Sequence, residues 1–154
     1  MDIIDELQGV AAKLTADGVD YALCGGLAMA VYAMPRATLD IDLMIQTESL
    51  AEAGQAIEPL GFAMSADPMD FQGGAVQIRR YSKVDPHTAE VLVLDFLLVT
   101  DATAAAWESR HDVDWERGRL RVVSPEGLIL LKRLRRSGID QDDIRYLESI
   151  ADED

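Results

Sequence analysis

Two aspartates, Asp40 and Asp42, sit inside an alternating and otherwise apolar run from Leu39 to Ile45. This pair constrains the chain more than any other feature. Residues two apart in a strand point to the same side, with Cα atoms about 6.6 Å apart at about 3.3 Å per residue. Two carboxylates on one face of an apolar strand repel each other and resist burial. The pattern has two readings. One is a strand end facing solvent with two unrelated aspartates. The other is a divalent-cation site, since Mg²⁺ takes one or two carboxylates together with substrate phosphates.

The residues ahead of the pair favour the second reading. Val19 to Cys24 is apolar and suits a buried strand. Gly25 and Gly26 free the backbone to bend and to approach a ligand closely. Leu27 to Ala33, rich in Ala and Met, reads as a short helix ended by Pro35. A glycine turn feeding a helix N-terminus presents backbone N–H groups to an anion. A phosphate cradle and a pair of metal-binding carboxylates would then lie on successive elements.

Gly25-Gly26, a spacer of thirteen residues, then Asp40-Ile41-Asp42-Leu43 resembles the signature of the nucleotidyltransferase fold superfamily. The wider stretch G-G-L-A…Y…P-R-A-T-L-D-I-D-L is similar to a small bacterial branch that includes AbiEii-type toxins and short antibiotic nucleotidyltransferases. The resemblance implies transfer of a nucleoside monophosphate from an NTP to a hydroxyl group, with two Mg²⁺ ions. It places Asp40 and Asp42 on the metals and the Gly25 and Gly26 N–H groups on the outer phosphates. Leu27 stands where many members carry a small polar residue or histidine, so phosphate binding would fall to the backbone and the metal.

Around this centre, Asp2 to Asp17 has helical apolar spacing and is closed by Gly18. Glu48 to Leu60 reads as a second helix and Phe62 to Met64 as a short strand. Asp67 to Gly74, with a proline and two glycines, reads as a loop. Ala75 to Lys83 alternates as a strand does, and Glu90 to Thr100 is the most apolar strand in the chain. A single carboxylate, Asp95, interrupts that last strand, and a lone buried charge needs a partner. One partner would be an arginine such as Arg79 or Arg80. The resemblance supplies another role, a third carboxylate that completes the metal site and accepts the acceptor's proton. Ala102 to Ser109 is a short helix in which Trp107 reads as packing, and Val113 to Val123 is a hairpin around Arg117-Gly118. Ser124-Pro125-Glu126 starts a helix that ends near Gly138, and Asp140 to Ile150 forms a last one. This ending resembles the family's helical K…D-x-x-D close, with Lys132, Asp140 and Asp143 at those places. Arg36 and Lys132 are candidates to neutralise charge that develops during transfer.

The expected fold is α+β: a small mixed sheet flanked by helices, closed by a C-terminal helical pair. At 154 residues the chain is one domain's worth, with a core over 1–123 and helices over 124–154. The net charge of −14 disfavours binding to nucleic acid. Arg110 to Arg136 nevertheless holds eight basic residues against four acidic ones. That window is either a local phosphate-binding face or a solvated surface balancing the acidic remainder. The single cysteine, Cys24, excludes an internal disulfide and suits a buried strand end. The absence of a signal-like or membrane-spanning stretch points to the cytoplasm. A small-molecule acceptor is favoured over RNA. The alternative is a module that binds a nucleotide or a protein partner without turnover, for example within a toxin–antitoxin pair.

Overall fold

The computed structural model describes residues 1–32, 40–135 and 147–151 of the chain. Helix α1 (Ile3–Ala16) starts where the Asp2 side chain accepts a hydrogen bond from the Ile4 N–H at 2.8 Å. It buries Leu7, Val10, Ala11 and Leu14, the apolar stripe its spacing predicts. Strand β1 (Ala22–Cys24) follows, shorter than the apolar run that announces it. Helix α2 (Gly25–Val31) then begins on the first glycine, and strand β2 (Asp40–Ile45) carries the aspartate pair.

Helix α3 (Leu50–Ile57) is flanked by single 3₁₀ turns, Thr47–Ser49 and Glu58–Leu60. These turns break the predicted continuous helix into three pieces. Beyond it lie β3 (Ala63–Met64), β4 (Met69–Phe71), β5 (Val76–Val84) and β6 (Val91–Leu98). The stretch expected to be a loop therefore contains β4, a three-residue strand set between Pro68 and the Gly73-Gly74 pair. The chain continues through α4 (Ala104–Glu108), β7 (His111–Trp115), β8 (Gly118–Val122) and α5 (Pro125–Arg135). Ser124 caps α5 as its sequence predicts: the Ser124 Oγ accepts from the Gly127 N–H at 3.0 Å, with Pro125 at the first helical position.

The eight strands described form one mixed sheet in the order β3-β5-β6-β2-β1-β8-β7, with β4 also paired to β5. The pairs β2–β6 and β1–β8 are parallel and the others antiparallel. The observed class is the expected one, α+β with a mixed sheet flanked by helices, and the sheet is wider than expected. The β7–β8 hairpin joins it through Leu23 opposite Val122, and the Val123 N–H extends the pairing to the Leu23 carbonyl at 3.0 Å. The core lies between this sheet and its helices, around fully buried Leu23, Ile41, Leu43, Met44, Leu94 and Phe96. Trp107 is 3% exposed and packs in that core. No described helix is long and apolar enough to cross a membrane.

Candidate active site

Strand register brings the chemistry together. Cys24 pairs with Asp42 across β1–β2, Asp42 with Asp95 across β2–β6, and Asp95 with Arg80 across β6–β5. Side chains directly opposite one another share a face of the sheet. Cys24, Asp42, Asp95 and Arg80 thus form one row across four strands. Asp40 lies one pleat away from Asp42 on the same face, opposite Val93. All five line a single cleft of about 460 Å³ with Gly25 and Lys132, a volume typical of a small-molecule site. Lys132 reaches it from α5 and is only 5% exposed.

Asp95 is the buried charged member of the row at 7% exposure. Arg80 grips it from the neighbouring strand with two hydrogen bonds, Nε to Oδ1 and Nη2 to Oδ2, each 2.9 Å. This is the arginine pairing foreseen for a lone strand carboxylate, and the register decides for Arg80. Its neighbour Arg79 stands on the opposite face and pairs with Asp70 at 2.9 Å. The Asp95 hydrogen bonds raise the Arg80 guanidinium above its ordinary pKa. Desolvation works against that rise, and the charges of Asp95, Asp40 and Asp42 add to it. Arg80 therefore sits in the combined field of all three carboxylates. A carboxylate offers about four lone-pair positions, so a two-bond arginine fork leaves Asp95 with further acceptor capacity.

Among the described residues, no group of three or more His, Cys, Asp or Glu side chains is placed to hold a metal ion. The two aspartates of β2 nonetheless suit Mg²⁺. They are hard oxygen donors on one face of one strand, and Mg²⁺ commonly takes one or two carboxylates and completes its shell with substrate phosphates and water. The residues fit a metal that takes its remaining ligands from water or a bound phosphate better than one held in a cage made of protein alone.

The first glycine has a steric reason to be there. Gly25 has φ +69°, a left-handed conformation that costs other residues roughly 1–2 kcal/mol. A Cβ at Gly25 would also collide with Asp42 Oδ2, and would stand 2.8 Å from the Asp42 Cβ and Cγ atoms. Gly25 is thus the partner that lets the Asp42 carboxylate lie against the turn. Gly25→Ala is expected to lower the melting temperature by roughly 2–8 °C, at about 2–4 °C per kcal/mol for a chain of this size, and to move Asp42. A thermal melt compared with Gly9→Ala, where an added Cβ meets nothing within 4 Å, checks this. Leu27 points into the core at 5% exposure, so the side chain after the glycine pair is used for packing.

Of the residues singled out from sequence, Gly25, Asp40, Asp42, Asp95 and Lys132 line the one cleft. Gly26 is the second residue of α2. Arg36, Asp140 and Asp143 lie outside the described residues. Among the described residues, five arginines of the basic window form ion pairs, Lys132 lines the cleft, and Arg136 lies outside the described residues. Arg110 meets Asp20 at 2.8 Å and stacks on Trp107 at 3.9 Å. Arg117 meets Asp5, Arg119 meets Asp114, Arg121 meets Asp20 and Asp112, and Arg133 meets Glu148. Desolvation raises the Asp20 carboxyl, but its hydrogen bonds from Arg110 and Arg121 outweigh this and hold it below its ordinary pKa. These five arginines each meet one of the protein's own carboxylates, a pattern in line with a solvated surface over this part of the window.

No protein-family model and no curated protein matches the chain. Solved structures do. The lincosamide antibiotic adenylyltransferase LnuA, bound to lincomycin, superposes with a TM-score of 0.66 at 18% identity, over 95% of this chain and 96% of that one. The antibiotic-resistance factor ANT(2'')-Ia, in complex with adenylyl-2''-tobramycin, gives 0.69 at 14% identity, over 96% and 88%. An antigenic nucleotidyltransferase-like protein from Paracoccidioides brasiliensis gives 0.54 at 22% identity, over 92% and 72%. The chain has the nucleotidyltransferase fold.

Proposed function

We propose that this protein transfers a nucleoside monophosphate from an NTP to a hydroxyl group of a small molecule. The observation that carries the reading is the convergence of Asp40, Asp42, Asp95, Arg80 and Lys132 on one cleft beside a glycine turn, in a fold shared with nucleotidyltransferases. The likeness to LnuA, which holds lincomycin, and to ANT(2'')-Ia, which holds an adenylylated antibiotic, supports a small-molecule acceptor. So do the net charge of −14 and the ion pairs of the five described arginines in the basic window, which disfavour long RNA.

In this reading Asp40 and Asp42 would hold two Mg²⁺ ions brought with the nucleotide, and the ions would supply Lewis-acid polarisation and charge neutralisation at the phosphates. The Gly25 and Gly26 N–H groups, Lys132 and Arg36 bind the outer phosphates and offset charge as it builds. The acceptor's hydroxyl oxygen forms a bond to the α-phosphorus. The bond from that phosphorus to the bridging oxygen of the β-phosphate breaks, and pyrophosphate leaves. Asp95 takes the hydroxyl proton on a lone pair that Arg80 does not occupy, while Arg80 fixes the carboxylate's orientation.

The experiment is to incubate the protein with Mg²⁺, each α-³²P-labelled NTP in turn and a library of small hydroxyl compounds. Labelled adduct together with released pyrophosphate is the expected result. A second reading is a non-catalytic module that binds a nucleotide or a partner protein. The Arg80 fork on Asp95 favours it, because it already gives the third carboxylate a structural partner. Titration that shows NTP binding with Mg²⁺ but no pyrophosphate release with any acceptor would establish that second reading.

A further inference from the structure

The cleft does not end at the carboxylates. One pleat along from the Asp95–Arg80 pair, Leu97 of β6 faces Ile78 of β5, and Ile78 faces Met69 of β4. One pleat further, Val76 faces Phe71. These five side chains stand on the same face of the sheet as the carboxylate row and line the same cleft. Phe71 is 52% exposed, so this end is open at its rim. Gln72 closes the far corner by donating from Nε2 to the Leu134 carbonyl of α5 at 3.2 Å. Over two pleats, about 13 Å of strand, the floor carries no charge among the described residues: the intervening Asp70 and Arg79 point to the other face and pair with each other.

Resting on the function proposed above, we propose that this apolar floor seats the body of the acceptor, and that the acceptor is a hydroxyl compound with an uncharged apolar ring or chain rather than a polycation. The geometry explains the preference. A hydroxyl set at the Asp42–Asp95 row must direct the rest of its molecule somewhere. Among the described residues, the floor next to that row offers apolar area to bury and no carboxylate to receive an ammonium group. A polyamine acceptor placed there would lose hydration without gaining a partner. An apolar chain gains with every methylene it covers.

The test uses the full chain with Mg²⁺ and the four α,β-methylene NTPs in turn, which bind without transfer. The n-alkyl β-D-glucosides from methyl to octyl, below their micelle concentrations, and tobramycin are then titrated calorimetrically. Affinity is expected to rise up to about fourfold per methylene, with tobramycin weaker than octyl glucoside. Phe71→Ser on the half-exposed rim and Leu131→Gln, at a residue of α5 that also lines the cleft, are each expected to flatten that rise while the methylene nucleotide binds as tightly as before. A flat alkyl series, or tobramycin binding more tightly than octyl glucoside, overturns the inference even when the nucleotide binds. Loss of nucleotide affinity in Phe71→Ser without loss of glucoside affinity also overturns it, because the floor would then hold the base. Failure of every methylene nucleotide to bind is a separate result, and it counts against the proposed function itself.

Discussion

Asp42→Asn is expected to reduce nucleotidyl transfer by at least about 10²–10³-fold, the range seen when one electrostatic contact to a transition state is removed. The metal-free protein should keep its stability to within about 1 kcal/mol, as most substitutions that create no cavity and bury no new charge do. Asn has the shape of Asp, so it fits against Gly25, whose missing Cβ makes room for that side chain. It lacks the charge that a cation needs. Ligand binding separates the two proteins. Wild type should gain about 2.7 kcal/mol from Mg²⁺–NTP at a hundred times its Kd. For a chain of this length that is roughly 5–11 °C in Tm. The Asn variant should gain little from the same mixture. Thermal melts of both proteins, with and without Mg²⁺ and a methylene NTP, check this. If both gain equally, Asp42 is not a metal ligand. If the variant melts far lower under every condition, Asp42 is a structural hydrogen-bonding residue.

The centre of the site was legible because its signals are local. A period-two pattern puts Asp40 and Asp42 on one face whatever the rest of the chain does, and the cleft contains both. The glycine pair signals freedom to bend and to approach a ligand. The fold adds a narrower cause, that a Cβ at Gly25 cannot coexist with the Asp42 carboxylate where it lies. Asp95 was visible as a charge in an apolar strand, and its need for a partner followed from burial alone. Which arginine would serve was not readable, because Arg79 and Arg80 are adjacent and point to opposite faces. A one-residue change of register between β5 and β6 would exchange them.

The apolar floor was hidden for a different reason. Met69 and Phe71 lie in a three-residue strand flanked by Pro68 and Gly73-Gly74, a composition that signals a turn. Only the pairing of β4 with β5 shows that these side chains share a face with Ile78, Val76 and the carboxylate row. The parallel contact of β8 with β1 was equally invisible, since a hairpin's own pattern does not say which sheet it joins. Local chemistry announced the carboxylate end of the cleft, and long-range pairing assembled the rest.

Replacing Arg80 should expose what Asp95 is for. Arg80→Met keeps the unbranched apolar stem and removes the guanidinium fork, leaving a carboxylate at 7% exposure without its two hydrogen bonds. Breaking a fully buried pair costs about 3–5 kcal/mol. The Arg80 side chain is 39% exposed, so water can partly replace it, and a loss of about 2–4 kcal/mol is expected in urea denaturation. Asp95→Asn should cost less, because the arginine left behind reaches solvent. The double variant Arg80→Met/Asp95→Asn should recover part of the Arg80→Met loss, since removing both charges leaves no ion buried unpaired. Stability alone does not separate a structural carboxylate from a reacting one, so the same variants are titrated with Mn²⁺ as a paramagnetic substitute for Mg²⁺. If Asp95 also serves the metal, Arg80→Met should bind Mn²⁺ more tightly than wild type in the absence of nucleotide, because the competing guanidinium is gone. The double variant should lose that gain. If Arg80→Met and wild type bind Mn²⁺ alike, and Asp95→Asn retains both transfer and its Tm gain with Mg²⁺–NTP, then Asp95 serves the fold through Arg80, and the proton acceptor must be sought elsewhere in the cleft.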